Sequence, residues 1–238
     1  MRNGFNERRI LMREFNVLGD YPQPKTPRYV GSNIRTIKSR IIASYRDEKY
    51  YDGDRNNGYG GFNYDGRWKK VAKLMIKEYG LTDKSALLQI GCEKGFLLHD
   101  FHDIYQGMTI RGTEISDYAI SHSMPSIKGN IVKADFQKLP FENREFDFVM
   151  AIGVVYTLNL RDAISCLKEI QRVGKGKSFI TLGAYRNELG AKLFKSWSVL
   201  GSTILHVDDW VEVLKEAGYT GDYHFATAET LNLVWRDT

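Results

Sequence analysis

Four short segments between residues 87 and 153 carry side chains whose chemistry converges. LLQIGCEKGFLL (87–98) places Gly91 and Gly95 in a predicted turn between a strand and a helix. Glycines there let backbone approach a ligand closely, and the free N–H groups that open a helix favour polar or anionic atoms. TIRGTEIS ends a second apolar run at Glu114, with Ile115 after it. A carboxylate so placed accepts both hydroxyls of a ribose. IVKADFQKLPF ends a third run at Asp135, an acceptor for an exocyclic amine, with Phe136 beside it. EFDFVMAIGVVYTL ends a fourth at Ile152 and Gly153, an apolar surface and open backbone suited to the underside of a flat ring. Jointly these describe an adenosine pocket. The turn lacks G-x-G-x-x-G spacing, and no Lys-Ser/Thr follows Gly95, which argues against a dinucleotide site and a phosphate-cradling loop.

The elements that must position these groups follow from the alternation of short apolar runs with amphipathic segments after residue 85, an α/β pattern. Strands are predicted at 86–90, 109–114, 131–134, 146–152 and 178–182, with a late pair near 219–226 and 229–235. Leu160, Ala163, Ile164, Leu167, Ile170 and Val173 recur at a 3–4 spacing and predict a helix against a sheet. Further helices are predicted at 67–79 and 208–217, the second opened by Asp208 and Asp209 and closed by Gly218. The resulting expectation is a Rossmann-like, doubly wound, mostly parallel seven-stranded sheet, with its ligand beyond the carboxyl ends of the strands.

Hydrophobic residues make up 42% of the 238 and charged residues 26%, the balance of a globular fold rather than of a disordered chain. Cys92 and Cys166 are too few for a disulfide framework, and no run approaches the ~20 apolar residues of a membrane span. No secretory leader pattern opens the sequence, so a reducing cytoplasm is the expected compartment. Residues 1–50 hold 11 Lys+Arg against 5 Asp+Glu, and the remainder 23 against 24, so the net charge of +5 belongs to the amino-terminal fifth. With Pro22, Pro24 and Pro27 and no long apolar period, residues 1–50 read as an irregular basic extension ahead of a domain over 51–238. YDGDRNNGYGGFNYDG (51–66) combines five glycines with four aromatic residues, an ordered loop that can bend and grip.

Across roughly residues 50–238 the chain resembles the class I S-adenosylmethionine-dependent methyltransferases, through LLQIGCEKGF, GTEIS, ADFQKLPF, FDFVMAIGVVYTL and LKEIQRVGKGKSFITL in that order. The resemblance implies that Gly91, Cys92, Glu93 and Gly95 line methionine and ribose, that Glu114 and Ile115 hold the ribose, and that Asp135, Phe136, Ile152 and Gly153 meet adenine. Two departures stand out: Gln89 where the family usually has an acid, and Glu93 where it usually has a glycine. The outer segments YGGFNYDGRW and GAYRNE…GYTGDYHF resemble a narrower bacterial group associated with surface-glycan or other small-molecule methylation. That likeness implies that segment 51–68 covers the cofactor through Tyr59, Gly60, Tyr64 and Arg67, with the Arg67 guanidinium on its carboxylate.

The acceptor side is less specified. His206, before the last main helix, offers a neutral imidazole as a base, or a helix cap. Tyr156 follows the fourth strand, and Tyr185 with Arg186 the fifth; each suits orienting an acceptor, Arg186 an anionic one. His99 and His102 lack companions at metal-ligand spacing, and methyl transfer needs no metal. The expected reaction is methylation of an O or N atom of a small molecule, a glycan or sugar-phosphate precursor favoured. RNA or protein bound through the basic extension, and a silent cofactor-binding module, are the alternatives.

Overall fold

The computed structural model describes residues 12–23 and 25–236, so residues 1–11 of the expected extension and Pro24 lie outside the described residues. In chain order the elements are β1 (Arg13–Glu14), β2 (Arg28–Val30), α1 (Ile37–Tyr45), α2 (Glu48–Tyr51), α3 (Lys69–Tyr79), β3 (Ala86–Ile90), α4 (Phe96–Ile104) and β4 (Thr109–Glu114). There follow α5 (Asp117–Ser121), β5 (Ile131–Lys133), β6 (Phe148–Ala151), α6 (Leu160–Val173), β7 (Ser178–Tyr185) and α7 (Glu188–Trp197). The chain closes with β8 (Leu205–His206), α8 (Val207–Glu216), β9 (Asp222–Ala226) and β10 (Leu233–Trp235).

The main sheet has eight strands in the order β1-β9-β7-β6-β3-β4-β5, with β8 beside β7. Every ladder in it is parallel. From β3 the chain runs outward through β4 and β5, then returns to β6 on the other side of β3. The strand order therefore reverses between β3 and β6, and their carboxyl ends part to leave a crevice.

Alternation within the strands feeds two cores. Leu88, Ile90, Val149, Ala151, Ile180 and Leu182 face α6 and α8. Leu87, Phe148, Met150 and Phe179 face α3 and α4. A sheet buried on both faces needs apolar residues at consecutive positions, which is why β6 reads as an unbroken hydrophobic run and β3 as one interrupted only at Gln89.

Three expectations change. The predicted late strand at 229–235 does not join the main sheet; β10 pairs with β2 in a separate two-stranded sheet. Residues 12–50 are not irregular throughout: β1 extends the main sheet at β9, and the short helix α1 is tied through Arg40 to the end of α7. Arg13 clamps that edge with two bonds to Asp222, at 2.7 and 3.1 Å, and one to Glu78 at 2.7 Å. Arg40 likewise caps the last carbonyls of α7, donating to those of Lys195, Ser196 and Ser198. Strands of two or three residues carry no readable period, and their partners lie some 200 residues away. The sheet has eight strands, not seven, because β8 adds a two-residue pairing to the end of β7.

Candidate functional site

A cleft opens at the β3–β6 crevice, and seven of the expected residues line it: Gly91, Glu93, Glu114, Phe136, Ile152, Gly153 and Tyr156. Gly91 has φ +64°, and a Cβ there would stand 2.3 Å from Val154 Cγ2 and 3.5 Å from the Phe136 ring. Only glycine fits. Glu114 is buried, and its carboxylate accepts backbone N–H groups from Glu93 (2.9 Å), Ile115 (2.8 Å) and Ser116 (2.9 Å). Three of its roughly four lone-pair sites are thus committed to shaping the turn, which leaves one on Oε2 for a ligand.

Glu93 occupies a left-handed backbone position, φ +53°. This is the conformation a glycine supplies without strain, and a charged residue held there suggests that its side chain is used. Burial, reinforced by the Glu114 carboxylate, pushes its pKa up to about 8, while Arg46 and the Tyr59 hydroxyl pull the other way. Gln89 is buried in β3 with Oε1 unpartnered, and the buried Tyr51 hydroxyl is likewise unpartnered. Unpaired buried acceptors are costly, so such groups commonly await a ligand or water.

Segment 51–62 folds over the turn because Lys94 reaches into it. Its ammonium pairs with Asp52 and donates to the Phe62 carbonyl at 3.1 Å, while the Tyr118 hydroxyl donates to Asp52 at 2.8 Å. Gly58, at φ +136°, lets this segment pass against Tyr50 and Val199. The cations of the cleft were not singled out as cofactor ligands in the sequence. Arg46 lines it from a left-handed position (φ 49°), tied by its carbonyl to the Ser116 hydroxyl at 2.5 Å. Arg35, also lining it, is buried over the Trp197 ring at 3.5 Å and donates to the Trp197 carbonyl at 2.6 Å. The left-handed position after α1 is visible only in three dimensions.

The other expected residues fall elsewhere. Arg67 is bound bidentately to Asp65 at 2.5–2.8 Å and does not line the cleft. Two residues apart in a turn, the pair satisfies itself locally. Tyr64 donates to Asp100 at 2.5 Å and packs edge-on against Phe96 and His99, in a separate surface groove. Gly60 packs on the Arg55 guanidinium, and Tyr59 meets the site through Glu93. Cys92 turns its thiol into the core beside Gly112 and Leu98, where burial raises its pKa. Gly95 (φ +74°) opens α4 against Ile127, and Ile115 contributes its N–H to Glu114 while its side chain packs in the core. Asp135 is exposed beside Phe136, outside the cleft lining.

Of the acceptor-side candidates only Tyr156 lines the cleft. His206 caps α8, accepting from Asp208 N–H at 3.3 Å. Tyr185 stands edge-on to it at 5.7 Å, and Arg186 pairs with Glu14 at 3.4 Å. These three form a surface group at the far end of β7, since β8 carries His206 alongside Tyr185 rather than over the crevice.

A second chamber adjoins the cleft and shares Ile152, Gly153 and Tyr156 with it. Gly153 has φ +74°, nothing lies within 4 Å of where its Cβ would stand, and its N–H donates to Thr181 Oγ1 at 2.7 Å. Among the described residues no group of three or more His, Cys, Asp or Glu could hold a metal ion. Nor is any helix among them long and apolar enough to cross a membrane.

Residues 88–182 match the family model described as a methyltransferase domain. Cycloartenol-C-24-methyltransferase of Arabidopsis thaliana is 30% identical over 155 residues, covering 56% of this chain and 45% of that protein. The rice (Oryza sativa subsp. japonica) cycloartenol-C-24-methyltransferase 1 is 27% identical, covering 87% of this chain and 67% of that protein. The chain thus spans less than half of the first of these relatives. Among solved structures, the complex of the Haloferax volcanii Trm112 methyltransferase activator with a protein assigned as a methyltransferase superposes with a TM-score of 0.52 at 17% identity, over 76% of each chain. The YcgJ protein of Bacillus subtilis superposes with a TM-score of 0.50 at 16% identity, over 61% of this chain and 66% of that one. The glycine turn, the acidic strand end and the ring floor all lie within the segment that matches the methyltransferase domain.

Proposed function

We propose that this chain holds S-adenosylmethionine in the cleft and moves its methyl group to an oxygen or nitrogen of a small molecule. The observation that carries this reading is the pairing of acidic Glu93 and Glu114 with Arg46 and Arg35 around backbone bared at Gly91 and Gly153. Such a site suits a ligand that bears cationic groups and a carboxylate together.

Glu114 would hold the ribose through its remaining lone pair, with Phe136 and Ile152 flanking adenine and Asp135 near its amine. Glu93, with Gln89 behind it, would face the positive groups, and Arg46 and Arg35 the carboxylate, the role expected of Arg67. Bound there, the cofactor supplies an electrophilic methyl on a positively charged sulfur. The protein's own work is to align the acceptor with that carbon and to exclude water.

The flanking motifs resemble those of a glycan-associated group and the matched plant proteins are named for a sterol, so neither likeness fixes the acceptor. Calorimetry with S-adenosylmethionine and S-adenosylhomocysteine tests the cofactor, and formation of S-adenosylhomocysteine with candidate acceptors tests the reaction. Absence of binding by either ligand overturns the reading. Tight binding with no transfer to any small molecule, nucleic acid or protein would make the chain a binding module. An RNA acceptor would reveal itself by affinity that falls steeply with salt.

A further inference from the structure

We infer that the chamber beside Gly153 is the acceptor site, that it takes a compact and largely apolar small molecule bearing one ionisable hydroxyl or amine, and that His224 receives the acceptor's proton. The inference rests on the methyltransferase reading above and adds to it the substrate class and the base.

Position is the first argument. The chamber, about 300 Å³, meets the cleft at Ile152, Gly153 and Tyr156, on the open side of Gly153.

The walls are the second argument. The Tyr21 and Trp68 rings, 4.4 Å apart and tilted by 50°, form one side, with Leu18, Ala226 and Leu231 among the remainder. No carboxylate lines the chamber among the described residues. Its amides each commit one end to local backbone: Asn16 Oδ1 accepts from Leu18 N–H at 3.1 Å, and Gln23 Nε2 donates to the Tyr21 carbonyl at 3.3 Å. Thr230 Oγ1 accepts from Thr227 N–H at 2.8 Å. The Arg28 guanidinium bonds the Leu231 carbonyl at 3.4 Å and lies 5.4 Å from the Trp197 ring. A sugar would leave several hydroxyls unpaired here, a cost an apolar body does not bear.

The third argument is what remains unpaired. Among the described residues neither the His224 imidazole nor the Tyr156 hydroxyl has a hydrogen-bond partner. His224 stands on β9 beside Thr181 of β7, the residue whose hydroxyl anchors Gly153 N–H. Tyr223 and Phe225, the neighbours of His224, point to the opposite face and pack in the core, which fixes the imidazole on the chamber side. Desolvation lowers the His224 pKa, so the ring is neutral at physiological pH and has a lone pair free to accept a proton. The titratable and charged groups facing it across the chamber are Tyr21, Arg28 and Tyr156, and none supplies a negative charge that would restore the imidazolium. In the step itself the acceptor's oxygen or nitrogen bonds to the methyl carbon as the carbon–sulfur bond breaks, its electron pair staying on sulfur. The acceptor's proton passes to a ring nitrogen of His224, so the positive charge lost at sulfur reappears on the imidazole and leaves with that proton to solvent.

The test uses the full chain saturated with S-adenosylhomocysteine, followed by the imidazole C–H signals of His224 in NMR spectra. Mono- and bicyclic phenols and amines are added in one series, sugars and sugar phosphates in another. Members of the first series should shift the His224 signals and be methylated when S-adenosylmethionine replaces the product. His224→Asn should lower kcat by about 100-fold with S-adenosylhomocysteine affinity unchanged, abolish the fall in rate at acid pH, and respond to added imidazole. Ala226→Phe should block the first series from binding while S-adenosylhomocysteine still binds. The inference is overturned if only sugars bind or react, if no member of the first series moves His224, or if His224→Asn leaves the rate and its pH profile intact. S-adenosylhomocysteine binding itself separates the two readings, because its absence sinks the methyltransferase proposal rather than this one.

Discussion

The two cavities that meet at Gly153 are built from different stretches of chain and with different chemistry. The cleft is polar, with the Glu93 and Glu114 carboxyl groups on turns that follow one another in sequence and the Arg35 and Arg46 guanidiniums brought in from the amino-terminal segment. The chamber is largely apolar, and its walls come from residues 16–28, Trp68 and residues 224–231, joined only when β1 and β2 pair with strands from the other end of the chain. The glycines and carboxyl groups of the cleft, on consecutive βα turns, are positioned by the sheet, while its guanidiniums flank α1, which Arg40 ties to α7. A chamber made of chain ends depends on the clamps that hold them, such as Arg13 on Asp222. On the proposed reading, cofactor handling is a property of the fold's centre, while acceptor choice lies at its margins.

This contrast can be broken or sharpened by substitution. The largest effect is expected from Gly91→Val, whose branched side chain would enter Val154 at a positive φ. S-adenosylmethionine affinity should fall by more than about 100-fold in calorimetry, with the far-ultraviolet circular dichroism retained. Undiminished affinity would place the cofactor elsewhere. Glu114→Ala removes a ligand acceptor and also strands three backbone N–H groups, so binding should weaken by about 1–3 kcal/mol and the thermal midpoint should drop. A loss confined to stability would restrict Glu114 to a structural role.

The charge of the cleft gives a smaller, graded signature. With its pKa raised to about 8, Glu93 is protonated at neutral pH in the free site. A cationic ligand favours the ionised form, so affinity for S-adenosylmethionine should rise with pH, by at most about tenfold per unit, and level off above the Glu93 pKa. S-adenosylhomocysteine, which lacks the sulfonium charge, should show a shallower rise, and Glu93→Gln should remove the difference between the two. Parallel profiles in the wild type would separate Glu93 from the sulfur. Smallest of all, Arg67→Ala should leave cofactor affinity within about twofold, because its ion pair with Asp65 is solvent-exposed and worth little. A large loss would restore Arg67 to the site.

Much of the centre was legible because its signals are local. The runs at 86–90 and 109–114 coincide with β3 and β4, and Gly91, Glu114, Phe136 and Gly153 stand where the strand ends require them. Cys92 stands apart from the cleft because sequence proximity to a glycine turn does not say which way a side chain points, and its thiol packs under Gly112. Arg67 stands outside the cleft lining, its guanidinium paired with the neighbouring Asp65. His206 was read both as a base and as a cap, and the structure shows it capping α8.

What the amino-acid order determined by itself was the doubly wound core and the cofactor loop. Burial on both sheet faces imposes continuous apolar runs, and a tight strand-to-helix turn imposes glycine; both constraints act within a few residues. What only the tertiary structure decided was the company those residues keep: Arg35 and Arg46 in the cleft, the pairing of the chain ends, and a bare imidazole on β9 facing the chamber. Those contacts join positions up to about 200 residues apart. They depend on the net balance of packing and chain entropy across the whole molecule, and no local pattern encodes that balance.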